Sequence, residues 1–302
     1  MSSDTAQEHR RLSVLVTGCS TGFGYLIAKT LASEGRRVFA TMRDAAGKNL
    51  PANKDLTQWA EAASLDLKVL EMDVGEERSV IATVNSILDS GSLIDVVVNN
   101  AGLSASGPLE AFSAEQIELL FNVNCLGQLR VDRAVLPHMR SRGSGLLIHV
   151  SSTLGRVLPG MGGLYPATKW AVEGVAESLA YEVKPFGIDV VILEPGAYPT
   201  TAVVRGMQPA NSEVAAEYAK AVLSLEQTLN TEPSPDYSLP DPQEIAGEVS
   251  RLIDVPDGSR PLRSVVGHIF TEGVPAYNVQ YEKVRDNLQL ALRRPDQAIT
   301  WV

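Results

Sequence analysis

The chain has 302 residues, 44% of them hydrophobic and 21% charged, which describes an ordinary globular protein of one large or two small domains. Its formal charge of −10 argues against a general nucleic-acid binder, because phosphate contacts need concentrated positive charge. No apolar run is long enough to span a bilayer, and two cysteines with four scattered histidines suggest neither a disulfide framework nor a metal site. A reducing, cytoplasmic setting is expected.

Residues 1–11 are polar, with nothing resembling a signal peptide, and are expected to form a flexible tail. Residues 12–17 are a short apolar run, followed by glycines and then a helical pattern over 25–33. That order predicts strand, glycine-rich turn, helix, and residues 37–41 add a second strand. Further strands are predicted at 67–72, 94–98, 145–150, 188–193 and 263–269. Helices are predicted at 76–88, 114–140 and 165–184, with a variable one inside the polar stretch 44–64. The strands are rich in Val, Ile and Leu and apolar on both faces, as a sheet buried between helices requires. The alternation predicts an α/β fold with a doubly wound, parallel, seven-stranded sheet and helices on both faces.

After Pro195 the pattern loosens. Residues 199–240 are rich in Pro, Ser and Ala, with one helix at 212–229 and a turn-rich end from 230; a helix at 241–253 returns the chain to the last strand. A loop this long is often a binding segment. The expected division is a tail (1–11), a catalytic domain (12–269) whose residues 199–262 form the substrate-binding loop and helices, and a C-terminal extension (270–302) that is helical over 277–292.

The turn Thr17-Gly18-Cys19-Ser20-Thr21-Gly22-Phe23-Gly24 joins the first strand to the first helix. Glycines there let the backbone approach a pyrophosphate, whose charge a helix N-terminus favours, so a nucleotide site is expected. At the end of the second strand an acid usually bonds a ribose 2′-hydroxyl, whereas an arginine accommodates a 2′-phosphate. The chain carries Met42 and Arg43 there, which favours NADP(H) and leaves NAD(H) possible; Asp44 either stands in for the acid or pairs with Arg43.

Tyr165 and Lys169 are four residues apart on a predicted helix and share a face, with Ser152 thirteen residues upstream of the tyrosine. A nearby cation favours phenolate, so Lys169 is expected to lower the Tyr165 pKa while the Ser152 hydroxyl holds a carbonyl or alcohol oxygen. Pro166 requires Tyr165 to lie near the helix start. Cys19 and Cys125 are read as packing residues, His149 as a satisfied core histidine, and Ser151 as nearer to a cofactor than to a substrate.

With these residues together, the chain resembles the short-chain dehydrogenase/reductases over residues 12–200 and the last strand. Thr17 to Gly24 is similar to their T-G-x-x-x-G-x-G turn, Asn99-Asn100-Ala101-Gly102 to their N-N-A-G motif, and Asn124 to their structural asparagine. Ser152, Tyr165 and Lys169 coincide with their active-site residues, and Pro195-Gly196 with Thr200 to the segment beside the nicotinamide. Several strings look nearest to the 17β-hydroxysteroid and retinol dehydrogenase branch.

The resemblance implies a Rossmann-type domain, NAD(P)(H) and alcohol/ketone interconversion without a metal. It implies Tyr165 as acid or base, Lys169 tuning it and bonding the nicotinamide ribose, and Asn124 holding a water through its carbonyl. Asp73 and Val74 would meet the adenine, and Asn99, Ala101 and Gly102 the adenosine ribose. It also implies a homodimer or homotetramer. Thr153, Leu154, Leu158, Tyr198, Val203, Val204 and Met207 are expected to line an apolar pocket for a hydrophobic secondary alcohol or ketone: a steroid, retinoid or lipid-like compound, or an aryl or alkyl ketone. The competing reading is a catalytically idle NADP(H)-binding sensor or scaffold on the same fold.

Overall fold

A computed structural model describes residues 11–158, 162–200, 206–229 and 240–292. Nearly all of the expected tail, Val203 and Val204, and most of the turn-rich stretch from 230 lie outside the described residues. Strand β1 (Ser13–Val16) leads through the glycine turn to α1 (Gly22–Ser33), and β2 (Arg37–Met42) to α2 (Leu50–Ala62). Then come β3 (Leu67–Glu71), α3 (Glu77–Asp89), β4 (Val96–Asn99), α4 (Ala114–Phe121), α5 (Gly127–Arg142) and β5 (Gly145–Val150). The chain continues with α6 (Leu164–Val183), β6 (Ile188–Pro195), α7 (Ser212–Leu229), α8 (Gln243–Asp254), β7 (Arg263–Val266) and α9 (Val274–Leu292).

The sheet has seven strands in the order β3-β2-β1-β4-β5-β6-β7, and every pair is parallel. Side chains alternate between its faces. Val14, Val16, Val96, Val98, Leu146 and Ile148 join Ile27 and Leu31 of α1 and Ile245 and Val249 of α8 in one core. Leu15, Val97, Leu147, Val190 and Ile192 join Val84 of α3, Val131 and Val135 of α5 and Leu179 of α6 in the other. The strand order reverses direction between β1 and β4. In such sheets ligands bind outside the carboxyl ends of the strands at that crevice.

Three elements differ from expectation for identifiable reasons. The expected helix over 114–140 is broken by a widened π turn, Asn122–Leu126, between α4 and α5. Within it Asn124 bonds Leu103 through both ends of its amide, and at Gly127 a Cβ would stand 2.9 Å from Val74. Strand β7 stops at Val266 because Gly267 turns the chain at φ +100°, where a Cβ would meet the Tyr198 hydroxyl at 2.8 Å. Helix α1 begins at Gly22, so the last glycines of the turn belong to its first turn.

Candidate active site

The glycine turn is held against β4 by a short network. Thr17 Oγ1 accepts from the backbone N–H groups of Asn100 and Ala101, both at 2.9 Å, and the Asn100 amide donates to the Thr17 carbonyl at 2.8 Å. Gly18 sits at φ +73°, and a Cβ there would lie 2.8 Å from the Ala101 Cα. A side chain at Gly24 would run into the Gly18 carbonyl and stand 2.5 Å from the Asn100 amide nitrogen. The N-terminus of α1 has no side-chain cap from Thr21 and no acid in its first turn. Its orphan N–H groups and dipole are therefore open to an anion, with Ser20 partly exposed and Thr200 next to Gly22. These residues fit a dinucleotide phosphate.

At the end of β2, Asp44 adopts the left-handed conformation (φ +48°), and its N–H and that of Ala45 donate to the Glu71 carboxylate at 2.6 and 2.7 Å. The Asp44 carboxylate accepts from the Lys48 N–H at 2.8 Å. It is thus spent within its own turn, while Arg43 is exposed beside it. Asp73 is likewise engaged by the backbone: its carboxylate accepts from the Gly75 N–H at 2.8 Å, and its N–H donates to Ser79. Val74 is buried, with its carbonyl accepting from Arg130. Asn99 is fully buried and donates to Asp132 at 2.7 Å, while Gly102 lies against the Asn124 amide.

Ser152 follows β5, Tyr165 opens α6 and Lys169 lies one helical turn further on. The Ser152 Oγ accepts from the Leu154 N–H at 3.1 Å and donates to the Pro195 carbonyl at 3.4 Å. That second bond is long, so the proton is readily redirected to an incoming oxygen. The Asn124 amide donates to Thr168 on α6 at 3.0 Å, tying the π turn to the helix of Tyr165 and Lys169.

Burial and the carbonyl at the end of β5 set the electrostatics of the pair in the chain alone. Lys169 Nζ donates to the Val150 carbonyl at 2.8 Å and lies 5.6 Å from the Tyr165 ring centre. Burial pushes Tyr165 up to about 12, opposed by its hydrogen bond with Ser152. Burial pushes Lys169 down to about 8, opposed by the Glu173 carboxylate. The i, i+4 spacing puts the ammonium on the right face, but the strand-end carbonyl captures it. In cofactor-free protein, ultraviolet difference titration of wild type against Tyr165→Phe is therefore expected to show no phenolate below about pH 10. A difference appearing near neutrality would mean that Lys169 already acts on the phenol.

The pocket lining divides. Met207 pairs with Ala105 and packs, with Tyr165 and Leu103, around Phe112, Leu120 and Leu164. Leu154 is partly buried, Leu158 is exposed and Thr153 is buried in the turn after Ser152. Tyr198 is 4% exposed, stacks edge-on against Phe23 at 5.4 Å and donates to Glu244 of α8 at 3.0 Å. Ser151 is buried, close to Glu173. Cys19 donates its thiol to Val16, and burial raises both cysteines, Cys19 to about 12.

His149 shares Gln128 through Nδ1 at 2.9 Å and faces Asp132 through Nε2 at 3.6 Å. Burial pushes the histidine down to about 4 and the acid up to about 8, so near neutrality the contact is not an ion pair. Sequence reasoning passed over Asn100, whose place inside the quoted motif was the available signal. It also passed over Arg156, Glu173, Glu194 and Arg263, for which sequence spacing offers none.

The short chain dehydrogenase family model matches residues 13–211. The chain belongs to the short-chain dehydrogenases. Retinol dehydrogenase 8 of Bos taurus is 38% identical over 191 residues, covering 62% of this chain and 59% of the relative. The 17-beta-hydroxysteroid dehydrogenase type 1 of Homo sapiens is 36% identical over 196 residues, covering 63% and 58%. The match thus spans about three fifths of each curated relative. Among solved structures, an alcohol dehydrogenase from the archaeon Thermococcus sibiricus, complexed with 5-hydroxy-NADP, superposes with a TM-score of 0.67. It is 26% identical, and the alignment covers 85% of this chain and 96% of that one. No helix among the described residues is long and apolar enough to cross a membrane.

Proposed function

We propose that this short-chain dehydrogenase is an NADP(H)-dependent oxidoreductase interconverting a hydrophobic secondary alcohol and its ketone. The observation that carries the reading is the convergence of Ser152, Tyr165 and Lys169 at the carboxyl end of the sheet, where the glycine turn opens α1. The bound cofactor supplies or accepts the hydride. Ser152 holds the substrate oxygen, redirecting the proton it now aims at Pro195. Tyr165 as the phenol donates its proton to that oxygen in reduction and is left as phenolate, and oxidation runs in reverse from the phenolate, which takes the alcohol's proton. Lys169, anchored on Val150, places a buried positive charge behind the phenol, and Asn124 fixes the helix that carries both.

The apolar cluster of Leu103, Phe112, Leu164 and Met207 around Tyr165 supports a hydrophobic substrate, in keeping with relatives named for retinol and a hydroxysteroid. The test is NADPH consumption with retinal, a 17-keto steroid and acetophenone. Turnover of at least one is expected, and tight cofactor binding with none consumed would favour the idle-scaffold reading.

For the cofactor, the engaged Asp44 and the exposed Arg43 support a 2′-phosphate partner. A charged hydrogen bond contributes about 1.5–3 kcal/mol. Arg43→Ala should therefore weaken NADPH binding about tenfold to a hundredfold and leave NADH binding nearly unchanged. Equal losses for both cofactors, read by nicotinamide fluorescence, would remove Arg43 from the 2′-phosphate site.

A further inference from the structure

Behind the catalytic groups lies a buried charge cluster drawn from five elements. Arg263 on β7 bonds Glu173 at 3.0 Å and Glu177 at 2.5 Å, both on α6, and approaches Glu194 on β6 at 3.4 Å. Arg156, at the end of the turn that Ser152 opens, stands 4.0 Å from Glu173 and 3.9 Å from Glu194, too far for direct hydrogen bonds. The missing link comes from α9, outside the family-matched residues 13–211. The Asn278 Oδ1 accepts from Arg156 Nε at 2.8 Å, and its Nδ2 donates to Glu194 at 2.7 Å.

We propose that Asn278 is a positioning residue, clamping the Ser152 turn to the end of β6 that carries Pro195 and Gly196. Arg156 belongs to the segment that begins at Ser152, and Glu194 immediately precedes Pro195. One amide therefore spans the two segments between which Ser152 Oγ and the Pro195 carbonyl lie 3.4 Å apart. Tyr277 and Tyr281, one helical turn apart on α9, place their rings 4.9 and 4.4 Å from the Arg156 guanidinium. The space around the turn is full: a Cβ at Gly155 would stand 2.8 Å from Ser151 Oγ and 3.1 Å from Glu173 Cγ.

A neutral amide suits the bridge. Three carboxylates already face the guanidiniums of Arg156 and Arg263, with Arg285 3.7 Å from Glu177 at the edge, and burial together with Glu173 pushes Glu194 up to about 8. A further acid would face Glu194 without a proton to share at alkaline pH. Misplacing a reacting group by about 1 Å can lower a rate about a hundredfold, so the clamp acts on the chemical step.

The inference rests on Ser152 and Tyr165 carrying the reaction. The test compares wild type, Asn278→Leu, Asn278→Asp and the exchange variant Asn278→Asp/Glu194→Gln, which restores an acid–amide pair in reverse. At alkaline pH, where Glu194 is ionised, both single variants are expected to lose kcat about tenfold to a hundredfold on the ketone reduced fastest by wild type, with NADPH affinity within about threefold. The exchange variant should recover most of the rate, and Asn278→Asp should improve as pH falls and its acid gains a proton.

Hydrogen exchange, which needs no substrate, should show faster exchange in Asn278→Leu over residues 152–157 and unchanged exchange in β1 and β4. Wild-type kcat in Asn278→Asp at alkaline pH, or a folded exchange variant that recovers nothing, would overturn the clamp. Should Asn278→Leu fold poorly, the comparison of Asn278→Asp with the exchange variant decides by itself. Tyr165→Phe measured alongside separates the failures. If it is inert while Asn278→Asp runs at the wild-type rate, the clamp alone is lost; if it is fully active, the catalytic assignment is lost.

Discussion

Replacing Tyr165 by phenylalanine is expected to lower kcat/KM for carbonyl reduction about a thousandfold, with NADPH affinity little changed. General acid catalysis by a positioned side chain contributes about 10²–10⁴-fold, and the upper half of that range applies here. The phenol combines the Ser152 hydrogen bond with a place against the apolar cluster around Met207. Its proton remains in place throughout neutral pH, because burial pushes Tyr165 to about 12. Removing the hydroxyl leaves the ring, and hence the packing against Leu164 and Phe112, intact, so the loss should appear in kcat and not in stability. Steady-state kinetics with a thermal melt separates the two. A Tyr165→Phe enzyme within tenfold of wild type would require another acid.

The second large effect is on stability. Arg263→Ala should cost about 3–5 kcal/mol, because it strands Glu173 and Glu177 without the cation that now bonds both, in a site where each is nearly excluded from water. Replacing the whole cluster by apolar residues need not carry that cost; removing one partner does. Urea unfolding followed by circular dichroism measures it, through a lower midpoint at unchanged slope. A change below about 1 kcal/mol would mean that Arg156 and Arg285 already compensate the three acids. The same variant loosens Glu194, so a loss of activity in it would not by itself report on Asn278.

The sheet was legible because its strands are short, apolar on both faces and separated by glycine or polar turns; β5 begins and ends where its composition changes, at Gly145 and Val150. Ser152, Tyr165 and Lys169 were legible because their chemistry sits at fixed, local spacing. The widened turn at Asn122–Leu126 was not, since it arises from Asn124 reaching Leu103 and from the approach of Gly127 to Val74, both contacts across other elements.

In the sequence, Tyr198 is legible only as the start of a loop. Its burial against Phe23 and its reach to Glu244 are set by how α8 returns to the sheet. Likewise, helical spacing fixes the face that Lys169 shares with Tyr165, but not the Val150 carbonyl that accepts its hydrogen bond. Asn278 and Glu194 are 84 positions apart, and no local pattern announces their bond.

The most direct measurement of the central claim follows the hydrogen itself. NADPH deuterated at C4 of the nicotinamide is incubated with the protein and a panel of hydrophobic ketones, and the products are analysed by mass spectrometry. Deuterium on the carbinol carbon of at least one product, abolished by Tyr165→Phe, is the expected result. Tightly bound cofactor that keeps its deuterium with every ketone would contradict the account.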